Sequence, residues 1–203
     1  MRGLKQRLID CVAECAHERP RETAIVGLGA SGTSVWSWER LWRESGRIAT
    51  KLLQLGVRPG EHVAYQLPNR AEFVAITLGA LRIGAICCPL MPFFRERELA
   101  FALARSGARV LFLLDSFGGR RPSEEVAALA PRLPHLEHVI AIDRLDETLD
   151  DIAADGRAID SCPPPPPGAF AQLLFTSGTS GTPKGVLHRQ DTLMRAVQSL
   201  FTE

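Results

Sequence analysis

Between His62 and Ile142, short apolar runs alternate with segments of helical period, and glycine, proline or asparagine stands at most of the changes. His62 to Leu67 reads as a strand, and Ala71 to Ile83 as a helix with Asn69 as its N-cap after Pro68. Ala85 to Cys88 reads as a strand, and Arg95 to Arg105 as a helix that ends near Gly107. The run Arg109 to Leu114 reads as a buried strand, followed by a helix over Ser123 to Leu133 and a strand over His138 to Ile142. Strands that alternate with helices in this way build a mostly parallel sheet with helices on its faces. The expected fold class is therefore α/β, a layered, mostly parallel sheet with flanking helices.

The sequence before this stretch predicts an amphipathic helix over Leu4 to His17, closed by Pro20. Two strands, Thr23 to Leu28 and Thr33 to Trp38, then flank a Gly29-Ala30-Ser31-Gly32 turn. Leu41, Ile48, Leu52 and Leu55 mark a second helix, stopped by Gly56. No internal repeat is visible.

The 203 residues suit one domain or at most two small ones. The chain is 45% hydrophobic with a formal net charge of +1, which excludes intrinsic disorder. Its 24 basic and 23 acidic residues nearly cancel, so there is no field to hold a nucleic acid. Five cysteines make an odd number in a chain too long to need stapling. Cys11 and Cys15, one turn apart with His17 nearby, could form half a metal site. With no second ligand cluster, buried free thiols and no metal are expected instead.

Asp10 and Glu14 interrupt the N-terminal apolar stretch, which is unlike a signal peptide. Phe73 to Phe94 is apolar but carries Arg82, two glycines and two prolines, which excludes a transmembrane span. A cytoplasmic location is expected. From Asp143 to Asp160 seven acids face two arginines, a local charge of −5, and Pro163 to Pro167 follow as a stiff run of about 15 Å. Residues 143–168 are expected to be a solvated acidic and proline-rich connector.

After the apolar run Ala169 to Phe175 comes Thr176-Ser177-Gly178-Thr179-Ser180-Gly181-Thr182-Pro183-Lys184-Gly185. Glycines let backbone N–H groups approach a phosphate, hydroxyls add donors, and Lys184 adds a compact positive charge. A strand that feeds such a loop can cradle a triphosphate; a plain flexible surface loop is the alternative. The P-loop pattern of nucleoside triphosphatases is excluded, because Pro183 precedes Lys184 and no hydroxyl residue follows it.

At these residues the chain resembles the adenylate-forming superfamily of acyl-CoA synthetases, peptide-synthetase adenylation domains and luciferases. Phe175 to Gly185 match that superfamily's phosphate-loop signature at every fixed position. Leu55-Gly56-Val57-Arg58-Pro59-Gly60, Gln66-Leu67-Pro68-Asn69 and Arg82-Ile83-Gly84-Ala85 continue the likeness. Pro89 to Leu99 is similar to the medium-chain and alicyclic (cyclohexanecarboxylate-type) acid–CoA ligases. The resemblance implies that residues 1–203 are the N-terminal portion of an AMP-binding large domain.

The activity implied by the resemblance has two steps. ATP and a carboxylic acid give an acyl-adenylate and pyrophosphate, and CoA then displaces AMP to form a thioester. Thr176, Ser177, Thr179 and Ser180 would donate to the phosphates, with Gly178 and Gly181 allowing close approach. Pro183 and Lys184 would complete the loop, Lys184 supplying charge. ATP, Mg2+ and CoA are the implied small-molecule partners. The resemblance places the adenine, ribose and catalytic-lysine groups beyond this segment, so no catalytic or metal-ligating residue is expected within it. His188 falls where many acyl-CoA ligases begin a His-Thr-His stretch, but Arg189 and Gln190 replace the rest. The chain alone is expected to be inactive, needing a C-terminal remainder on the same or another chain. A non-catalytic remnant or weak phosphate-binding module completed by another chain is the alternative. Leu193, Val197, Leu200 and Phe201 are expected to lack apolar partners and to favour self-association.

Overall fold

The computed structural model describes residues 7–29, 32–143, 145, 149–150, 159, 162–176 and 183–199. Helix α1 (Leu8–Glu18) leads into a hairpin of β1 (Thr23–Gly29) and β2 (Gly32–Ser37), paired antiparallel with Val26 opposite Val35. Helix α2 (Trp38–Gln54) follows at once, because the Ser37 side chain accepts from the Arg40 backbone N–H at 3.2 Å and caps the first turn. The strand expected to end at Trp38 therefore stops one residue earlier.

The central unit runs β3 (His62–Gln66), α3 (Ala71–Arg82), β4 (Ile86–Leu90), α4 (Glu96–Ser106), β5 (Val110–Leu113), α5 (Pro122–Leu129) and β6 (His138–Ala141). Then come β7 (Phe170–Thr176), β8 (Lys184–Arg189) and α6 (Gln190–Ser199). The described sheet has six strands in the order β6-β5-β3-β4-β7-β8. The first five are mutually parallel, while β8 folds back antiparallel on β7. The α/β class expected from the alternation is what the chain adopts.

Both faces of the sheet are covered, which explains why its strands read as unbroken apolar runs. Val63, Tyr65, Val110 and Phe112 point to one face, where Ile48 and Leu52 of α2 and Ile76 and Leu81 of α3 pack. Ala64, Leu111 and Leu113 alternate to the other face, against Leu99 and Leu103 of α4 and Val126 and Leu129 of α5. Gly107 ends α4 in a left-handed conformation, φ 61°, that few other residues adopt without strain.

Several sequence expectations shift. The cap of α3 is Arg70 rather than Asn69, with no side-chain bond to the helix. The expected helix over Ser123 to Leu133 is an α-helix to Leu129 and then a short 3-10 turn, Ala130–Arg132, that includes Pro131. Strand β4 extends two residues past Cys88, to Leu90. Cys87 and Cys88 are buried, but Cys11, Cys15 and Cys162 are only half-buried. Parts of the expected connector over 143–168 lie outside the described residues, and the rest is not simply solvated. Leu145, Leu149 and Ile159 are buried in the main core, and buried Arg47 donates to the Leu149 carbonyl at 2.6 Å. Arg7 holds the polyproline run by donating to the Pro165 carbonyl at 3.0 Å, so the prolines pack on their own chain. Leu193 also packs against the main core, leaving Val197 as the exposed position of α6 among those expected to lack partners; Leu200 and Phe201 lie outside the described residues.

Candidate functional site

Strand β3 connects to β4 through α3 on one face of the sheet, and β4 connects to β5 through α4 on the other. Chain connections that leave adjacent parallel strands toward opposite faces open a crevice at the strands' carboxyl ends, where α/β proteins bind ligands. Here those ends are Gln66 and Leu90. Strand β7 lies beside β4 in parallel, so its own carboxyl end, Thr176, reaches the same edge of the sheet.

The glycine- and hydroxyl-rich segment thus begins at the carboxyl ends of the parallel strands. Its ends are not loop, as the sequence suggested. Thr176 is the last residue of β7 and Lys184 the first of β8, and the two are register partners. The Thr176 hydroxyl donates to the Lys184 carbonyl at 3.4 Å, and Gly185 pairs with Phe175 one step in. Ser177, Gly178, Thr179, Ser180, Gly181 and Thr182 lie outside the described residues. Thr176 and Lys184 are exposed and Pro183 is half-buried. The structure therefore brings together the two ends of the expected phosphate loop at the mouth of a hairpin.

A cleft of about 700 Å³ opens beside this hairpin, lined by Met91, Phe93, Phe94, Phe101, Phe175, Thr176 and Pro183 among others. Phe101 and Phe175 meet edge-on with ring centroids 6.0 Å apart, as do Phe93 and Phe94 at 5.8 Å. Such a volume suits a small organic ligand. Arg97 and Glu98 add charge to its lining. The segment from Met91 to Phe94 carried no chemical signal in the sequence beyond a family likeness. Gln66, in a strand of otherwise mostly buried apolar residues, was the one local hint.

Other chemically conspicuous groups lie elsewhere. His62 starts β3 at the opposite edge of the sheet, and burial lowers its imidazole pKa. Burial pushes the Cys87 and Cys88 thiols up to about 12, which leaves them neutral and unreactive. His188 is half-buried in β8 opposite Gln172. Among the described residues there is no group of three or more His, Cys, Asp or Glu side chains able to hold a metal ion, and no helix is long and apolar enough to cross a membrane.

Comparison with known proteins agrees with this geometry. The family model of the AMP-binding enzymes matches residues 12–203. The medium-chain fatty-acid–CoA ligase of Escherichia coli K12 is 32% identical over 193 residues, covering 92% of this chain and 33% of that protein. The crotonobetaine/carnitine–CoA ligase of Salmonella arizonae is 31% identical, covering 82% of this chain and 33% of that one. Among solved structures, a Mycobacterium tuberculosis fatty acyl CoA synthetase superimposes with a TM-score of 0.75 at 26% identity, over 91% of this chain and 35% of its own. The chain spans about a third of the length of these relatives. With a mostly parallel sheet flanked by helices and a family match over nearly its whole length, this chain belongs to the AMP-binding enzyme family.

Proposed function

We propose that this chain is the N-terminal part of an acid–CoA ligase and that its β7–β8 loop holds the phosphates of ATP. The observation that supports the reading is the pairing of Thr176 with Lys184 at the carboxyl edge of the sheet. Backbone N–H groups, the hydroxyls of Thr176, Ser177, Thr179 and Ser180, and the Lys184 ammonium would face the β- and γ-phosphates. Gly178 and Gly181 would let the backbone close on them, with Pro183 stiffening the exit. Donors placed in this way match the charge that develops on departing pyrophosphate and so favour its departure.

The other substrates would be a carboxylic acid, activated as its adenylate, and CoA, whose thiol takes the acyl group. Mg2+ would travel with the triphosphate, since the described residues offer no cluster of metal ligands. The resemblance places the groups that the family uses for adenine, ribose and the catalytic lysine beyond the segment matched here. They would come from a further part of the protein, on the same chain or another, and the 203 residues alone would be inactive.

The test is acid-dependent exchange of labelled pyrophosphate into ATP, run with a panel of carboxylic acids on the protein as its gene encodes it. The reading predicts exchange that needs an acid, followed by thioester formation when CoA is added. Absence of exchange with every acid would favour a non-catalytic phosphate-binding module instead.

A further inference from the structure

Gln66 is the last residue of β3, is 5% exposed, and is flanked by buried Tyr65 and Leu67. Its Nε2 donates to the Phe94 carbonyl at 2.9 Å and the Met91 carbonyl at 3.1 Å, with the Pro92 carbonyl at 3.4 Å. Chemistry fixes the orientation of the amide. Three carbonyls can only accept, so Nε2 and not Oε1 must face them. Oε1 is then left buried without a hydrogen-bond partner among the described residues.

The same backbone segment is held from a second side. Arg120 Nη2 donates to the Phe94 carbonyl at 3.2 Å, and Arg120 is itself paired with Glu125. The Phe94 N–H closes a turn on the Met91 carbonyl at 3.0 Å. With its backbone pinned, the segment turns apolar side chains outward: Phe93 is 70% exposed and Met91 53%, and both line the cleft.

A leucine would fill a buried strand end in a parallel sheet without leaving an amide oxygen unpaired. Gln66 therefore does something for which the sheet itself has no need. We propose that Gln66 is a positioning residue that fixes Met91–Phe94 as a preformed apolar wall of the cleft that Thr176 and Pro183 also line. The wall receives the apolar group of the carboxylic acid. A surface ordered in advance costs the ligand less than one that it must order on binding. This inference rests on the acid-activating reading above for its ligand, but not for the latch itself.

Gln66→Leu removes the donors while keeping the bulk. The latch predicts an unchanged or higher melting temperature, with amide hydrogen exchange at residues 91–95 accelerated about tenfold or more and α2 unaffected. In ATP–pyrophosphate exchange by the protein as its gene encodes it, KM for the acid should rise about fivefold or more while kcat stays within about twofold. Arg120→Met, which releases only the second hold, should accelerate exchange in the same segment to a lesser degree. Unchanged protection at 91–95, uniform acceleration across the chain, or loosening with no change in KM would each overturn the proposal. Absence of ATP–pyrophosphate exchange in the unaltered protein would count against the acid-activating reading instead, with the hydrogen-exchange comparison still deciding the latch.

Discussion

Thr176 and Lys184 are register partners where β7 ends and β8 begins, joined by a bond from the Thr176 hydroxyl to the Lys184 carbonyl at 3.4 Å. The hydroxyl is thus held by a long, weak bond that a phosphate oxygen could replace at little cost. Thr176→Val keeps the branched shape that suits a strand and removes only the hydroxyl. Stability should stay within about 0.5 kcal/mol, as for an ordinary surface change. The KM for ATP in pyrophosphate exchange should rise by about tenfold, the loss of one hydrogen bond to a charged group. A KM within twofold of the unaltered value would remove Thr176 from the site.

Gly79 of α3 approaches α2 so closely that an added Cβ would stand 2.7 Å from Ile48 Cγ2 and 2.9 Å from the Ser45 carbonyl oxygen. Backbone cannot yield as a side-chain tip can. Gly79→Ala should therefore destabilise the fold by about 1–3 kcal/mol despite alanine's higher helix propensity. Urea unfolding measures this, and a stabilised Gly79→Ala variant would show that the two helices sit further apart.

Glu44 is buried on α2 and accepts from Arg47 Nη1 at 2.9 Å and from Arg43 Nε at 3.1 Å. Glu44→Leu would leave a buried guanidinium without its carboxylate, at a cost of about 3–5 kcal/mol. Because Arg47 also grips Leu149, the variant should loosen that segment first, visible as faster amide exchange near residues 149–150.

Cys87 and Cys88 carry pKa values raised from 9.0 to about 12 by burial. A thiol whose folded pKa exceeds its unfolded one binds its proton more tightly in the folded state. Its contribution is complete below pH 9 and is lost as pH rises toward 12. Melting temperature should therefore fall across pH 9–12, and Cys87→Ala should flatten part of that slope. In the native protein a thiol reagent should modify the half-buried Cys11, Cys15 and Cys162, reaching Cys87 and Cys88 only after unfolding.

Much of the architecture was legible because buried parallel strands such as Val110–Leu113 must be apolar on both faces, while helices such as α2 bury one stripe. The boundaries were less legible. Asn69 is the better cap by propensity, yet the backbone turns into α3 one residue later, at Arg70. The acidic stretch concealed Leu145, Leu149 and Ile159, whose spacing among charges gives no clean period although all three are buried. At the candidate site the glycines and hydroxyls suggested loop from Thr176 to Lys184, whereas those two residues close β7 and open β8. The latch from Gln66 to Met91 and Phe94 could not, since it joins residues about 25 positions apart and only the register of β3 with β4 brings them together.

The proposed hold of the segment between β7 and β8 on the phosphates of ATP is tested most directly at Lys184. Lys184 is exposed, so Lys184→Ala should leave melting temperature nearly unchanged. Acid-dependent exchange of labelled pyrophosphate into ATP, measured on the protein as its gene encodes it, should fall by about 10–100-fold in kcat/KM. Exchange that proceeds at the unaltered rate without the Lys184 ammonium would contradict the assignment of this loop to ATP.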